Sequence, residues 1–140
     1  QATVGVMGQR LMRAICPRCA KPVEPPAAVL KRLRLEPGQV TGLKQGAGCV
    51  ECHGSGYRGR VGIYELLVVD DPIREAVCAG APAPEIERIA RRAGFRNLQE
   101  DALARALAGQ TTLEEVLRVT GGHAGHGPAA LDEDATEEAA

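Results

Sequence analysis

Four of the five cysteines fall in two pairs, CPRC at 16–19 and CVEC at 49–52, with 29 residues between the pairs. A C-x-x-C turn can present two thiolates to one ion with backbone N–H groups aimed at the sulfurs, and two such turns complete a tetrahedron at about 2.3 Å per bond. Cys16, Cys19, Cys49 and Cys52 are therefore read as the ligands of one Zn²⁺. Four protein ligands leave no open position, so the ion is structural rather than catalytic. The gap between the pairs exceeds the about 15–20 residues of common zinc ribbons. An iron–sulfur cluster is the chief alternative for the same thiolates, and two redox dithiols on one small domain the weaker one. Four thiolates on Zn²⁺ carry a formal charge of about −2, and Arg18, Lys21, Arg58 and Arg60 flank the pairs where they can offset it.

The remaining reactive residues offer less. His53 directly follows Cys52, but the four cysteines already fill the shell. Cys78 is placed on the inward face of an expected helix beside Val77, where a free thiol acts as a small hydrophobe. His123 and His126 stand in a glycine-rich tail without neighbouring ligands, and are read as solvated. Residues 54–59, GSGYRG, match G-x-G-x-x-G, yet they follow a cysteine knuckle and precede an expected strand, the reverse of a dinucleotide site. G-x-x-x-x-G-K-[ST] does not occur, so no phosphate-cradling loop is expected and the chain alone is not expected to hydrolyse ATP. Nothing pairs a nucleophile with a histidine base. The acidic pairs Asp70–Asp71 and Glu114–Glu115 sit at expected helix starts and are assigned to capping.

The elements that must position the cysteines follow from periodicity and punctuation. In VMGQRLMRAI, Val6, Leu11, Ala14 and Ile15 fall near one helical face and Pro17 blocks continuation, which predicts a helix ending at Cys16. A short helix is expected between Pro25–Pro26 and Pro37–Gly38, with Val29, Leu30 and Leu33 on one face, then a glycine-rich loop, TGLKQGAGC. Val61, Ile63, Tyr64, Val68 and Val69 predict a strand. Asp71–Pro72 opens a helix with Ile73, Ala76 and Val77 inward. PEIERIARRAG predicts another, with Ile86, Ile89, Ala90 and Ala93 together. Asn97 with Glu100, and Thr112 with Glu115, have the spacing of a helix cap and its reciprocal partner, and open two last helices. The fold class expected is α+β, mostly helical, with a zinc-bearing excursion between the first helix and the strand.

At 140 residues and 44% hydrophobic content the chain suits one domain with a modest core. With only Phe95, Tyr57 and Tyr64 as aromatics, that core must be aliphatic. The net charge of −1 hides an asymmetry, since residues 1–120 hold all 17 Lys and Arg but 13 of the 18 acids, and so stand at +4. Residues 121–140 carry Asp132, Glu133, Asp134, Glu137 and Glu138 and no base, and are read as a disordered acidic tail. The bases of the body are spread over several helices, which gives no nucleic-acid footprint. No run long enough to span a membrane and no signal peptide is recognised, so a reducing compartment is expected. The start at Gln1 suggests that residues are missing upstream.

The segments GVMGQRLMRAICPRC (5–19), GCVECHGSGYRGRVGIYELLVVDD (48–71) and GQTTLEEVLRVT (109–120) closely resemble the C-terminal region of the secretion ATPases that power type II secretion and type IV pilus assembly. The resemblance covers about residues 4–120, in order, with all four cysteines. It implies a hexameric cytoplasmic motor, peripheral to the bacterial inner membrane and docked on inner-membrane platform proteins, with ATP and Mg²⁺ bound only in the parent protein. The Walker segments and the acidic and histidine boxes of the family precede this region and are absent. Residues 1–15 would then be the end of the motor core, 16–60 the zinc subdomain, 61–120 the strand and C-terminal helices, and 121–140 a tail without family counterpart. The implied role is structural and partner-facing, toward the upstream motor domain and neighbouring subunits. One rival is the heat-shock co-chaperone zinc module, since CVECHGSG fits C-x-x-C-x-G-x-G, but CPRCAKPV lacks the glycines. The other, a zinc-ribbon nucleic-acid binder, needs exposed aromatics that three residues scarcely supply.

Overall fold

The segment expected as the first helix is a strand. In the computed structural model, which describes residues 4–121, β1 (Gly5–Ile15) lies antiparallel to β4 (Tyr57–Val68). Their register runs from Gly5 opposite Val68 to Ile15 opposite Tyr57, with a bulge between Arg13 and Ile15. The helical reading failed because the apolar residues of VMGQRLMRAI fit either period. Gly5 and Gly8 each weaken a helix by about 1 kcal/mol relative to Ala, and a partner strand distant in sequence supplies the deciding ladder. Met12 and Ile63 turn inward and are fully buried, whereas Met7, Leu11, Tyr64, Leu66 and Val68 lie on the other face and are exposed. Val6 and Leu11, expected inward, are exposed as well.

Residues 16–56 leave the end of β1 and return to the start of β4 as an excursion. Within it β2 (Ala20–Pro22) pairs antiparallel with β3 (Lys44–Gly46), so the glycine-rich segment read as a loop contributes a short strand. Helix α1 (Ala27–Leu33) sits where the flanking prolines placed it and ends on Arg34 in the left-handed conformation, φ 56°. Leu30 and Leu33 are buried, as periodicity required.

After β4 come α2 (Asp71–Cys78), α3 (Ala83–Arg92), α4 (Leu98–Leu107) and α5 (Leu113–Thr120). The cap of α2 is Asp70, not Asp71: its Oδ1 accepts the Ile73 N–H at 3.1 Å, and Pro72 occupies the first turn. Only Ile73 of the expected inward face of α2 is buried; Ala76 is half-buried, and Val77 and Cys78 are exposed. On α3, Ala90 is buried and Ile86 and Ile89 are half-buried, while Ala93 lies past the helix end and is exposed. The reciprocal cap of α4 is formed as read: Asn97 Oδ1 accepts from the Glu100 N–H (2.9 Å) and Glu100 Oε2 from the Asn97 N–H (2.7 Å).

The main core joins Met12 and Ile63 of the ribbon, Leu30 and Leu33 of α1, Val40 and Leu43, Ala102 and Ala106 of α4, and Leu113 and Val116 of α5. Segments on both sides of the expected boundary at 60/61 therefore share one apolar cluster. The small alanines of α4 let its backbone approach the ribbon closely, which suits a chain with few aromatics. Among the described residues the fold is α+β, with five α-helices and two two-stranded sheets. No helix among the described residues is long and apolar enough to cross a membrane. The acidic tail, with His123 and His126, lies outside the described residues beyond Gly121.

Candidate metal centre

The two cysteine pairs converge at the neck of the excursion. Cys16 directly follows β1 and Cys19 comes one turn later; Cys49 precedes and Cys52 closes a short 3-10 turn, Val50–Cys52. Glycines make the convergence possible. Gly56 has φ 78°, and a Cβ there would stand 2.6 Å from the Gly46 carbonyl oxygen, so β3 and the knuckle can meet only backbone to backbone.

All four sulfurs lie within 4.8 Å of one another, with Cys16, Cys19 and Cys52 buried and Cys49 partly so. Sulfur separations are 3.8 Å for Cys16–Cys49, 3.9 Å for Cys19–Cys52 and 3.7 Å for Cys49–Cys52. A tetrahedron with bonds of about 2.3 Å has edges of about 3.8 Å, so the donor set fits one four-coordinate ion. It does not fit a disulfide, whose sulfurs stand about 2.05 Å apart.

Backbone dipoles support the same reading. The Cys49 and Gly56 N–H groups each donate to Cys52 Sγ at 3.2 Å. Burial pushes the Cys52 thiol up, but those two donors and the thiols of Cys49 and Cys19 outweigh it and bring the group down to about 6. Burial, opposed by the Gly48 amide and reinforced by the other three thiols, pushes Cys19 up to about 11. Two backbone N–H groups thus converge on one sulfur, an arrangement that favours its thiolate form.

Other residues singled out by type stand apart. His53 follows the 3-10 turn in the left-handed conformation, φ 53°, and its N–H closes the turn on the Val50 carbonyl; it is not among the clustered ligands. Arg58 pairs with Glu51 at 2.7 Å, both half exposed. Cys78, read as buried, is an exposed thiol on α2, away from the cluster.

A second polar centre, absent from the sequence expectations, forms around Glu115. Glu115, expected to reach back to the start of α5, is fully buried and accepts instead from Arg13: backbone N–H at 2.9 Å, Nε at 3.1 Å and Nη2 at 2.9 Å. It also accepts from Arg118, through Nε at 2.9 Å and through Nη2. Thr112 alone keeps its capping role, accepting from the Glu115 N–H at 3.2 Å. The Arg13 guanidinium lies over the Tyr57 ring, 4.2 Å from its centre. The only local signal was the Thr112/Glu115 spacing, which names a cap and says nothing of a partner 102 residues away.

Comparison with known proteins gives a consistent result. The family model described as Type II/IV secretion system protein matches residues 1–118. The chain is 51% identical over 121 residues to Type IV pilus assembly ATPase PilB of Thermus thermophilus, covering 85% of this chain and 14% of that protein. It is 43% identical over 117 residues to Type II secretion system protein E of Pseudomonas aeruginosa, and 38% identical over 117 to Type II secretion system ATPase E of Vibrio cholerae, in each case covering 84% of this chain. It spans 23% of the Pseudomonas aeruginosa protein, so these relatives extend well beyond the region matched.

Proposed function

Since the chain belongs to the Type II/IV secretion system protein family, we propose that it is the zinc-binding C-terminal portion of an ATPase that powers type II secretion or type IV pilus assembly. The observation that carries the reading is the closed cluster of four sulfurs at tetrahedral spacing in a chain matched to that family over 118 residues. Cys16, Cys19, Cys49 and Cys52 would hold one Zn²⁺, which supplies a structural cross-link and no open coordination position. In this reading ATP and Mg²⁺ would be bound by the parent protein, in a hexamer at the cytoplasmic face of the inner membrane, since G-x-x-x-x-G-K-[ST] does not occur in these 140 residues. This region then acts as a rigid partner-facing module, toward the upstream motor domain, neighbouring subunits and platform proteins. The nucleic-acid reading has no observation in its favour.

The test has two arms. Elemental analysis of the reduced chain is expected to give one zinc per chain, with structural zinc in small peptides worth on the order of 10–16 kcal/mol; a Cys49→Ser variant that keeps full zinc affinity refutes the ligand set. In the full-length parent, Cys49 and Cys52 are both replaced by Ser and export or piliation is measured beside ATPase rate and hexamer content. Wild-type levels of all of them with the zinc lost would refute a mechanical or docking role.

A further inference from the structure

A metal cross-link alone does not account for the way the chain on either side of the sulfurs grips the last helix. Gly56 donates its N–H to Cys52 Sγ and its carbonyl accepts the Cys16 N–H at 2.9 Å, so it bridges the two cysteine pairs. The next residue, Tyr57, is hydrogen-bonded through its hydroxyl to Thr112 Oγ1 at 2.7 Å, the atom that caps α5. On the other strand, the Ile15 N–H donates to the Gln110 carbonyl at 3.0 Å and Thr111 Oγ1 donates to the Arg13 carbonyl at 2.8 Å. Arg13 itself sits between the Tyr57 ring and the buried Glu115. The residues just before Cys16 and just after the knuckle therefore both hold the α4–α5 turn. Helices α2 and α3 share none of these hydrogen bonds.

Resting on the metal reading above, we propose that the four-sulfur knuckle and α5 form one cooperative unit, in which capture of the ion sets the docking of α5 on the ribbon through Tyr57, Arg13 and the α4–α5 turn. Cys16 and Cys52 would hold the ion, and Gly56 is hydrogen-bonded to both. Tyr57 is thereby aimed at Thr112, and Arg13 is stacked in place to meet Glu115. Without an ion the Cys52 turn is free to shift, Gly56 shifts with it, and both grips on the turn slacken together. Tyr57 is a positioning residue in this scheme and touches no sulfur.

The experiment is hydrogen–deuterium exchange on the full chain, reduced and zinc-loaded or stripped by a chelator, together with Tyr57→Phe. Stripping is expected to raise the exchange of the α5 amides by about tenfold or more while those of α3 change less than about twofold. Tyr57→Phe is expected to keep one zinc per chain, to show faster α5 exchange even when loaded, and to respond less to stripping. The proposal is overturned if α5 does not respond, if α3 rises with it, or if Tyr57→Phe responds as fully as the parent chain. A chain that takes up no zinc defeats the metal reading and the coupling with it. One that takes up zinc and leaves α5 unmoved defeats the coupling alone.

Discussion

Replacing Glu115 by Gln removes one negative charge from a fully buried site where two guanidinium groups and a backbone amide converge. The amide keeps one acceptor, but its NH₂ then faces guanidinium donors. Breaking a buried pair costs about 3–5 kcal/mol when the orphaned charge stays dry; the Arg13 and Arg118 side chains are 50% and 56% exposed, so water rehydrates them. The expected loss at pH 7 is therefore about 2–3 kcal/mol. The same hydrogen bonds set the acid dependence. Burial pushes the Glu115 carboxyl up, but the hydrogen bonds from Arg118 and Arg13 outweigh it and hold the group at about 2 against an ordinary 4.5. That depression corresponds to at most about 3 kcal/mol, less for the half-exposed partners. Because the folded carboxyl releases its proton at the lower pH, the unfolded chain binds more protons between about 4.5 and 2. The contribution is complete above that window and is lost as pH falls through about 2. Urea denaturation of both chains at pH 7, 4 and 2.5 measures the gap between them; any metal held by the cysteines is released by acid from both alike. A gap below about 0.5 kcal/mol at pH 7, or one that does not shrink toward pH 2.5, refutes the account.

Two further outcomes follow from side chains that the sequence placed well or badly. In the zinc-loaded chain a thiol reagent such as iodoacetamide is expected to modify Cys78 alone, because it is exposed and the other four sulfurs are clustered; Cys78→Ser should abolish that fast labelling, and rapid modification of a second thiol in the loaded chain would contradict it. Asn97→Ala breaks the reciprocal cap of α4 and is expected to lower stability by about 1 kcal/mol, read as a shift of the urea midpoint, with no change in zinc content.

The convergence of Cys16, Cys19, Cys49 and Cys52 was legible because two C-x-x-C turns constrain which thiols can meet, and the local caps at Asn97 and Thr112 were legible because a cap is made within four residues. The proline- and glycine-bounded α1 was equally local. What failed was non-local. β1 carries apolar residues on both faces, so its pattern fits two periods and only β4 decides between them. Val77 and Cys78 follow a helical stripe that α2 does not bury, since the inward face of a helix depends on how much of it reaches the core. Glu115 had the right spacing for a reciprocal cap, and Arg13, far away in sequence, competes successfully for its carboxylate. In each case the missing information is the identity of a distant partner.

The position of the sulfurs at the neck also bears on the order of events in synthesis. Arg13 must wait for Glu115, 102 residues later, which at about 5–20 residues per second is roughly 5–20 s on the ribosome. Over that interval Leu113 and Val116, which help bury Met12 and Ile63, are missing, and the one-sided burial that specifies strand register is incomplete. Cys52 emerges long before α5, and the Cys16 amide is joined to the Gly56 carbonyl beside it. A knuckle that closes early fixes Ile15 opposite Tyr57 and leaves the ribbon one alignment in which to receive the helix that arrives last.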